Sequence, residues 1–273
     1  NGATLNFNSG TLTIANGPGI DLTIEGTLSW VGGYAALMDV TNGAQVSGGA
    51  SFSFSGQTLI NNGTISLGNL DMINGSNPQN INGTGTISNL LMFNLSTGVT
   101  LGGDQTITGL LNFNYGPIHT GTNKLILAAG ANYQNNANPL MYVDGNLQIN
   151  YPVGSFGLTF PVGDAAGYRP VQLTLINNLG VGGIMVSTLN VEHPSIATSN
   201  INPAKSVNRN WKITNNGATF DQAFIGFNWE NGEIDGIAVP SNFIVGKYNA
   251  PNWTYPNVTS AGGTSISISG ITS

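Results

Sequence analysis

Cysteine is absent from the 273 residues, charge is scarce, and no long apolar run occurs. Without cysteine the chain holds neither a disulfide nor a thiolate metal site. Without a run of about 18 apolar residues, nothing in it spans a bilayer as a helix. Charged residues make up only 7%, against roughly 25% in an ordinary soluble domain. Solubility must therefore rest on neutral amides and hydroxyls. Six Lys and Arg, scattered among twelve Asp and Glu, make no phosphate-neutralising stripe. That excludes nucleic acid as a partner and disfavours an anionic membrane surface. Helical spacing is also nearly missing: the one approach to it, Tyr34 to Val40, is short and adjoins Gly32-Gly33.

What is present is a grammar of short β-type phrases. Gly63-Thr64-Ile65-Ser66-Leu67, Gly85-Thr86-Ile87-Ser88-Asn89-Leu90 and Gln105-Thr106-Ile107-Thr108-Gly109-Leu110 each alternate apolar with small polar residues. Thr64, Thr86 and Thr106 mark a spacing of 20 to 22 residues, the period of a solenoid. The same alternation begins at Leu5-Phe7 and Leu12-Ile14 and runs on to Leu147-Ile149. A turn of about 20 residues predicts about seven coils of a parallel β-helix over residues 1–150, with inward apolar residues stacked in columns. Asn, Thr, Ser and Gly suit such stacked turns, since like charges one level apart would repel while amides hydrogen-bond.

Beyond Tyr151 the phrases lengthen and proline becomes frequent. The runs Leu158-Thr159-Phe160, Val171 to Leu175, Ile184 to Leu189, Val207 to Thr214, Ala223 to Trp229, Phe243 to Tyr248 and Ser265 to Ile271 predict an antiparallel, immunoglobulin-like β-sandwich over residues 151–273. The fold expected is thus all-β, a solenoid followed by a sandwich. Carboxylates outnumber cations strongly only in the first part, where Lys124 stands alone against Asp21, Glu25, Asp39, Asp71, Asp104 and Asp144.

Phe160-Pro161-Val162-Gly163-Asp164 with Tyr168-Arg169-Pro170-Val171, then Val207-Asn208-Arg209-Asn210-Trp211, then Lys247-Tyr248-Asn249 with Asn252-Trp253-Thr254, resemble a module of bacterial surface proteins exported by the type IX route. In such proteins a Gly/Asn/Thr-rich repeat region often precedes the module. The resemblance implies secretion and an extracellular or cell-surface role, and it implies no chemistry. The opening Asn1-Gly2-Ala3-Thr4 suits a processed terminus.

Few residues invite a chemical role. Glu230, Glu233 and Asp235 form the one acidic cluster and are the candidate calcium ligands, although their spacing lacks EF-hand order. No other cofactor is expected. Arg169 and Arg209 stand beside Tyr168 and Trp211 and are expected to pack on an aromatic face or bridge to Asp164 or Asp221. His119 and His193 lack a second histidine nearby and read as loop residues. Asp21 and Glu25 fall on one face of a strand, yet a pair of this kind is weak ground for a glycosidase. A uronate lyase would need a basic cluster that Lys124 cannot supply. Six Asn-x-Ser/Thr sites, at Asn62, Asn74, Asn82, Asn94, Asn252 and Asn257, read as turn chemistry.

The expected function is therefore that of a structural protein without catalysis. It would be an extracellular filament, stalk or layer subunit that associates with its own copies, because low charge weakens repulsion and a solenoid end offers unpaired backbone. The alternative is an adhesin or glycan-binding module using Trp30, Trp229, Trp253 and Tyr255 as platforms.

Overall fold

The structure is a computed structural model that describes residues 3–6, 11–15, 17–19, 21–24, 28–31, 37–74, 77–93, 97–135 and 139–272. It divides into two units, Asn1–Asn150 and Tyr151–Ser273. The fold is all-β, a parallel solenoid followed by antiparallel sheets.

Among the described residues every strand pair within the first unit is parallel. One line of strand pairing runs through Ala3–Asn6, Leu28–Val31, Gln45–Phe54, Thr64–Met72, Thr86–Phe93, Gln105–Tyr115 and Asn132–Asn135, the longer of these strands turning a corner of the solenoid. A second runs through Thr11–Ile14, Leu37–Val40, Thr58–Asn61, Gln79–Asn82, Val99–Leu101 and Ile118–Leu127. The solenoid has about six turns, fewer than the seven that a 20-residue period implies. The early turns are longer: the register step from Leu28 to Phe52 spans 24 residues, whereas that from Leu70 to Leu90 spans 20.

The threonine-flanked isoleucines that define the sequence period do form a column. Val46, Ile65, Ile87, Ile107, Leu127 and Ile149 lie in register, one per level, and all are buried. Phe54, Met72, Met92 and Phe113 make another, and Met38, Leu59, Ile81 and Leu101 a third. Parallel stacking at about 4.8 Å per level places each side chain on one of nearly equal size, so the columns close-pack without large gaps.

The amides work at the corners. Asn61 is fully buried, and its Nδ2 donates to Gln105 Oε1 at 3.1 Å. Gln105 Nε2 donates in turn to the Gly83 carbonyl at 2.7 Å. Gln79 Nε2 donates to the Phe54 and Gly56 carbonyls at 3.0 and 2.9 Å. Such bonds satisfy backbone carbonyls where the chain turns and the sheet ladder lapses. Sequon residues share this work, since Asn62 Oδ1 accepts from the Thr84 amide and Asn74 Nδ2 donates to the Ser55 carbonyl. Asn94 lies outside the described residues.

The second unit has a five-stranded antiparallel sheet in the order Gly154–Phe160, Val171–Asn178, Gln222–Asn228, Ser265–Ile271, Asn257–Gly262. The antiparallel pair Gly182–Leu189 and Asn210–Asn216 presents Trp211 to Phe227 of that sheet, ring centroids 4.9 Å apart. Two short hairpins, Val162–Asp164 with Gly167–Tyr168 and Lys247–Asn249 with Asn252–Thr254, complete the strands. Aromatic rings and branched aliphatics seal the interior: Phe160, Val171, Leu175 and Val186 are fully buried. The Tyr151 hydroxyl, which donates to the Leu173 carbonyl at 2.9 Å, is pushed well above its ordinary pKa by burial.

Candidate functional site

The charged residues of the sequence motifs converge in the second unit. Asp164 ends the strand of Phe160-Pro161-Val162-Gly163-Asp164, Arg169 follows the adjoining Gly167–Tyr168 strand, and Arg209 immediately precedes the strand Asn210–Asn216. Glu233 closes a 3₁₀ turn, Asn231–Glu233, whose start it locks by accepting the Glu230 amide at 3.1 Å. Arg209 faces Glu233 as a fork: Nε donates to Oε2 at 2.9 Å and Nη2 to Oε1 at 2.6 Å. Its Nη1 donates to Asp164 Oδ2 and to Thr188 Oγ1. Arg169 Nε reaches the same Glu233 Oε1 at 2.9 Å, while its Nη1 and Nη2 donate to the Tyr168 and Ala166 carbonyls.

Two guanidiniums and two carboxylates thus neutralise one another largely away from water, the Arg209 side chain being 0% exposed. Burial alone would raise the Glu233 pKa; the hydrogen bonds from Arg209 and Arg169, the Glu230 amide and the charge of Arg209 outweigh it and bring the value down to about 2. Burial works against the Arg209 charge as well, but Glu233 and Asp164 hold its pKa above the ordinary value. Forked guanidinium–carboxylate geometry gives both strength and direction, so the arrangement fixes four separate chain segments with respect to one another.

The three candidate calcium ligands are engaged separately. Glu233 has both oxygens committed to arginines, Glu230 is 66% exposed and lies 3.8 Å from Arg169, and Asp235 accepts from the Ser206 amide and Asn208 Nδ2. The three point to different partners, and among the described residues no group of three or more His, Asp or Glu side chains could hold a metal ion. Of the partners expected for the arginines, Asp164 is in place, whereas Asp221 accepts from Asn177 Nδ2 at 2.8 Å instead.

The other candidates separate. Asp21 accepts from the Gly17 and Gln45 amides, and Glu25 lies outside the described residues. His119 Nδ1 is 2.9 Å from Asp144 Oδ2. His193 packs against both Tyr248 and Trp253, with ring centroids at 4.7 and 5.1 Å, and its Nδ1 accepts from the Ser195 amide. Among the expected glycan platforms, Trp229 is 3% exposed and lies tilted against Phe243. Trp253 Nε1 donates to Thr198 Oγ1, and the Tyr255 hydroxyl accepts from the Asn200 amide. The Trp30 side chain lies outside the described residues.

The second unit holds a further feature that no single sequence motif marks. Between the five-stranded sheet and the Asn210–Asn216 strand, with the segments around His193 and Phe243, lies a cavity of about 1280 Å³. Its walls include Leu173, Ile213, Ile225, Phe227 and Ile268, and its lining also takes in Lys205, Lys212 and Lys247. These are all the lysines of the second unit, a coincidence that the sequence holds only as three distant letters. No protein-family model, curated protein or solved structure matches this chain.

Proposed function

We propose that this chain is a structural, non-catalytic building block of an extracellular surface, joined to further copies of itself along the solenoid. The observation that carries the reading is the solenoid itself: parallel levels stacked in register, like residues above like, with neutral amides at the corners. A stack of this kind takes a further parallel level by strand addition, from the same chain or from another copy.

Three properties support a second copy. The strands of the first described level, Ala3–Asn6, Thr11–Ile14 and Leu22–Thr23, carry no charged residue, and the adjoining Asp21 carboxylate is taken up by the Gly17 and Gln45 amides. The corner amides bond from level to level without regard to sign. The buried charge cluster of Asp164, Arg169, Arg209 and Glu233 is spent on holding the second unit together. The resemblance of its motifs to modules of exported bacterial surface proteins supports the extracellular setting.

Sedimentation velocity across a roughly hundred-fold concentration range tests the reading, since association follows mass action. Growth of a discrete larger species, seen as end-to-end particles by electron microscopy, is the expected result. A single monomeric species throughout removes the proposal.

A further inference from the structure

We propose that the cavity of the second unit is a binding site for an amphipathic carboxylate: an apolar chain carrying one anionic head. Three independent observations specify that chemistry.

The first is size and lining. At about 1280 Å³ the cavity exceeds the roughly 300–1,000 Å³ that holds a drug-sized ligand. Its walls are aliphatic and aromatic. The apolar surface continues outward through Leu189, Val191, Ile237, Val239 and Ile244, all large side chains left exposed, Ile237 at 69%. Such a patch gathers where an apolar guest enters.

The second is unmet hydrogen bonding. The indole N–H groups of Trp211 and Trp229, both in the cavity lining, are buried and have no acceptor. Buried tryptophan N–H groups ordinarily find a partner. Among the side chains of the described residues, two orphan donors and no orphan acceptor in the same lining call for a guest that brings oxygen lone pairs.

The third is charge. In a chain of net charge −6, Lys205, Lys212 and Lys247 are gathered at this one cavity and all are exposed. None forms an ion pair among the described residues, whereas Lys124, Arg169 and Arg209 all do. Glu192, the carboxylate in the same lining, is engaged by the Ser206 hydroxyl. An anionic head is thus favoured at the rim, and an apolar chain fills the interior. A neutral oil would leave the lysines and indoles unanswered, and a cation would meet three lysines against the single carboxylate of Glu192.

The probe is palmitate, kept below its micellar concentration and titrated into the full chain by calorimetry and tryptophan fluorescence, with palmitamide as its neutral counterpart. Expected is saturable binding of one palmitate per chain, with palmitamide weaker by about ten-fold or more, the scale of a lost charge-assisted contact. The variant K205Q/K212Q/K247Q should bring palmitate down to the palmitamide level while leaving palmitamide unchanged. Trp229→Phe, which keeps the ring and deletes the donor, should weaken both ligands several-fold, and Lys124→Gln should weaken neither. No saturable binding, equal affinity for the two probes, or full palmitate affinity in the triple variant would each overturn the proposal. So would a fluorescence change that tracks protein concentration alone, since the occupant would then be a second copy.

Discussion

Arg209 and Glu233 meet as a two-pronged pair, 2.9 Å from Nε to Oε2 and 2.6 Å from Nη2 to Oε1, with neither side chain more than 7% exposed. Charge at that depth survives only because each ion answers the other and Asp164, Arg169 and Thr188 answer what is left over. Removing one member strands the rest. Glu233→Gln should therefore destabilise the second unit by about 3–5 kcal/mol, the usual cost of breaking a buried pair from one side. Thermal or urea unfolding followed through tryptophan fluorescence measures it. Glu230→Gln, on the exposed partner, should cost less than about 1 kcal/mol.

Acid should act on the two units in opposite senses. The Glu233 pKa is about 2 in the folded chain against an ordinary value near 4.5, so the unfolded state takes up the proton first. Its contribution is fully present above about pH 4.5 and is lost as the pH falls toward 2. Asp71 behaves conversely: burial raises its pKa, partly offset by the Ser53 hydroxyl, and its Oδ1 is buried without a partner. The folded solenoid holds that proton more tightly than the unfolded chain does, which favours folding at low pH. The advantage disappears as the pH rises through the folded pKa. Hydrogen exchange resolved by segment, between pH 2 and 7, should show protection falling around Arg209 on acidification. Asp71→Asn should raise solenoid protection at pH 7 and leave it unchanged at the acid end.

Much of this architecture is legible in the residues. Ile65, Ile87 and Ile107 recur at a solenoid spacing because parallel levels must place like residues above like, and the structure stacks them one per level. The charge cluster was half legible. Asp164 lies near Arg169 in sequence and was expected as a partner for the arginines, but Glu233 is 64 residues from Arg169 and sits in an acidic run that imitates a cation loop. Only the fold shows that two guanidiniums occupy the place of the cation. The cavity was not legible. Lys205, Lys212 and Lys247 follow no period, and the orphaned state of the Trp211 and Trp229 donors depends on every neighbouring acceptor at once.

Gly48 occupies a position that no side chain can share. Its φ is +150°, and an added Cβ would fall 1.8 Å from the Ile24 carbonyl oxygen. It sits at the register shift between Gly48 and Ser51, where the Gln45–Phe54 strand passes from one face of the solenoid to the next. Gly48→Ala should cost about 1–3 kcal/mol by overpacking, read as a lower midpoint of solenoid unfolding. Gly49→Ala, with open space around the added carbon, should cost clearly less.

The buried column offers a test of how the solenoid shares its stability. Each level of a stacked array touches only its neighbours, so energetic coupling should decay along the axis. Ile65 and Ile87 are adjacent in the column, whereas Val46 and Leu127 are separated by Ile65, Ile87 and Ile107. At about 4.8 Å per level the distant pair shares no partner and lies beyond the range in which cavities merge. Ile65→Ala and Ile87→Ala should each cost about 2–5 kcal/mol, and the double variant should depart from additivity by about 0.5–3 kcal/mol because the two cavities relax together. Val46→Ala with Leu127→Ala should add to within about 0.5 kcal/mol. Equal coupling for the two pairs, measured by denaturant unfolding of all four single variants and both doubles, would mean that the unit melts as one undivided core and not as a series of stacked levels.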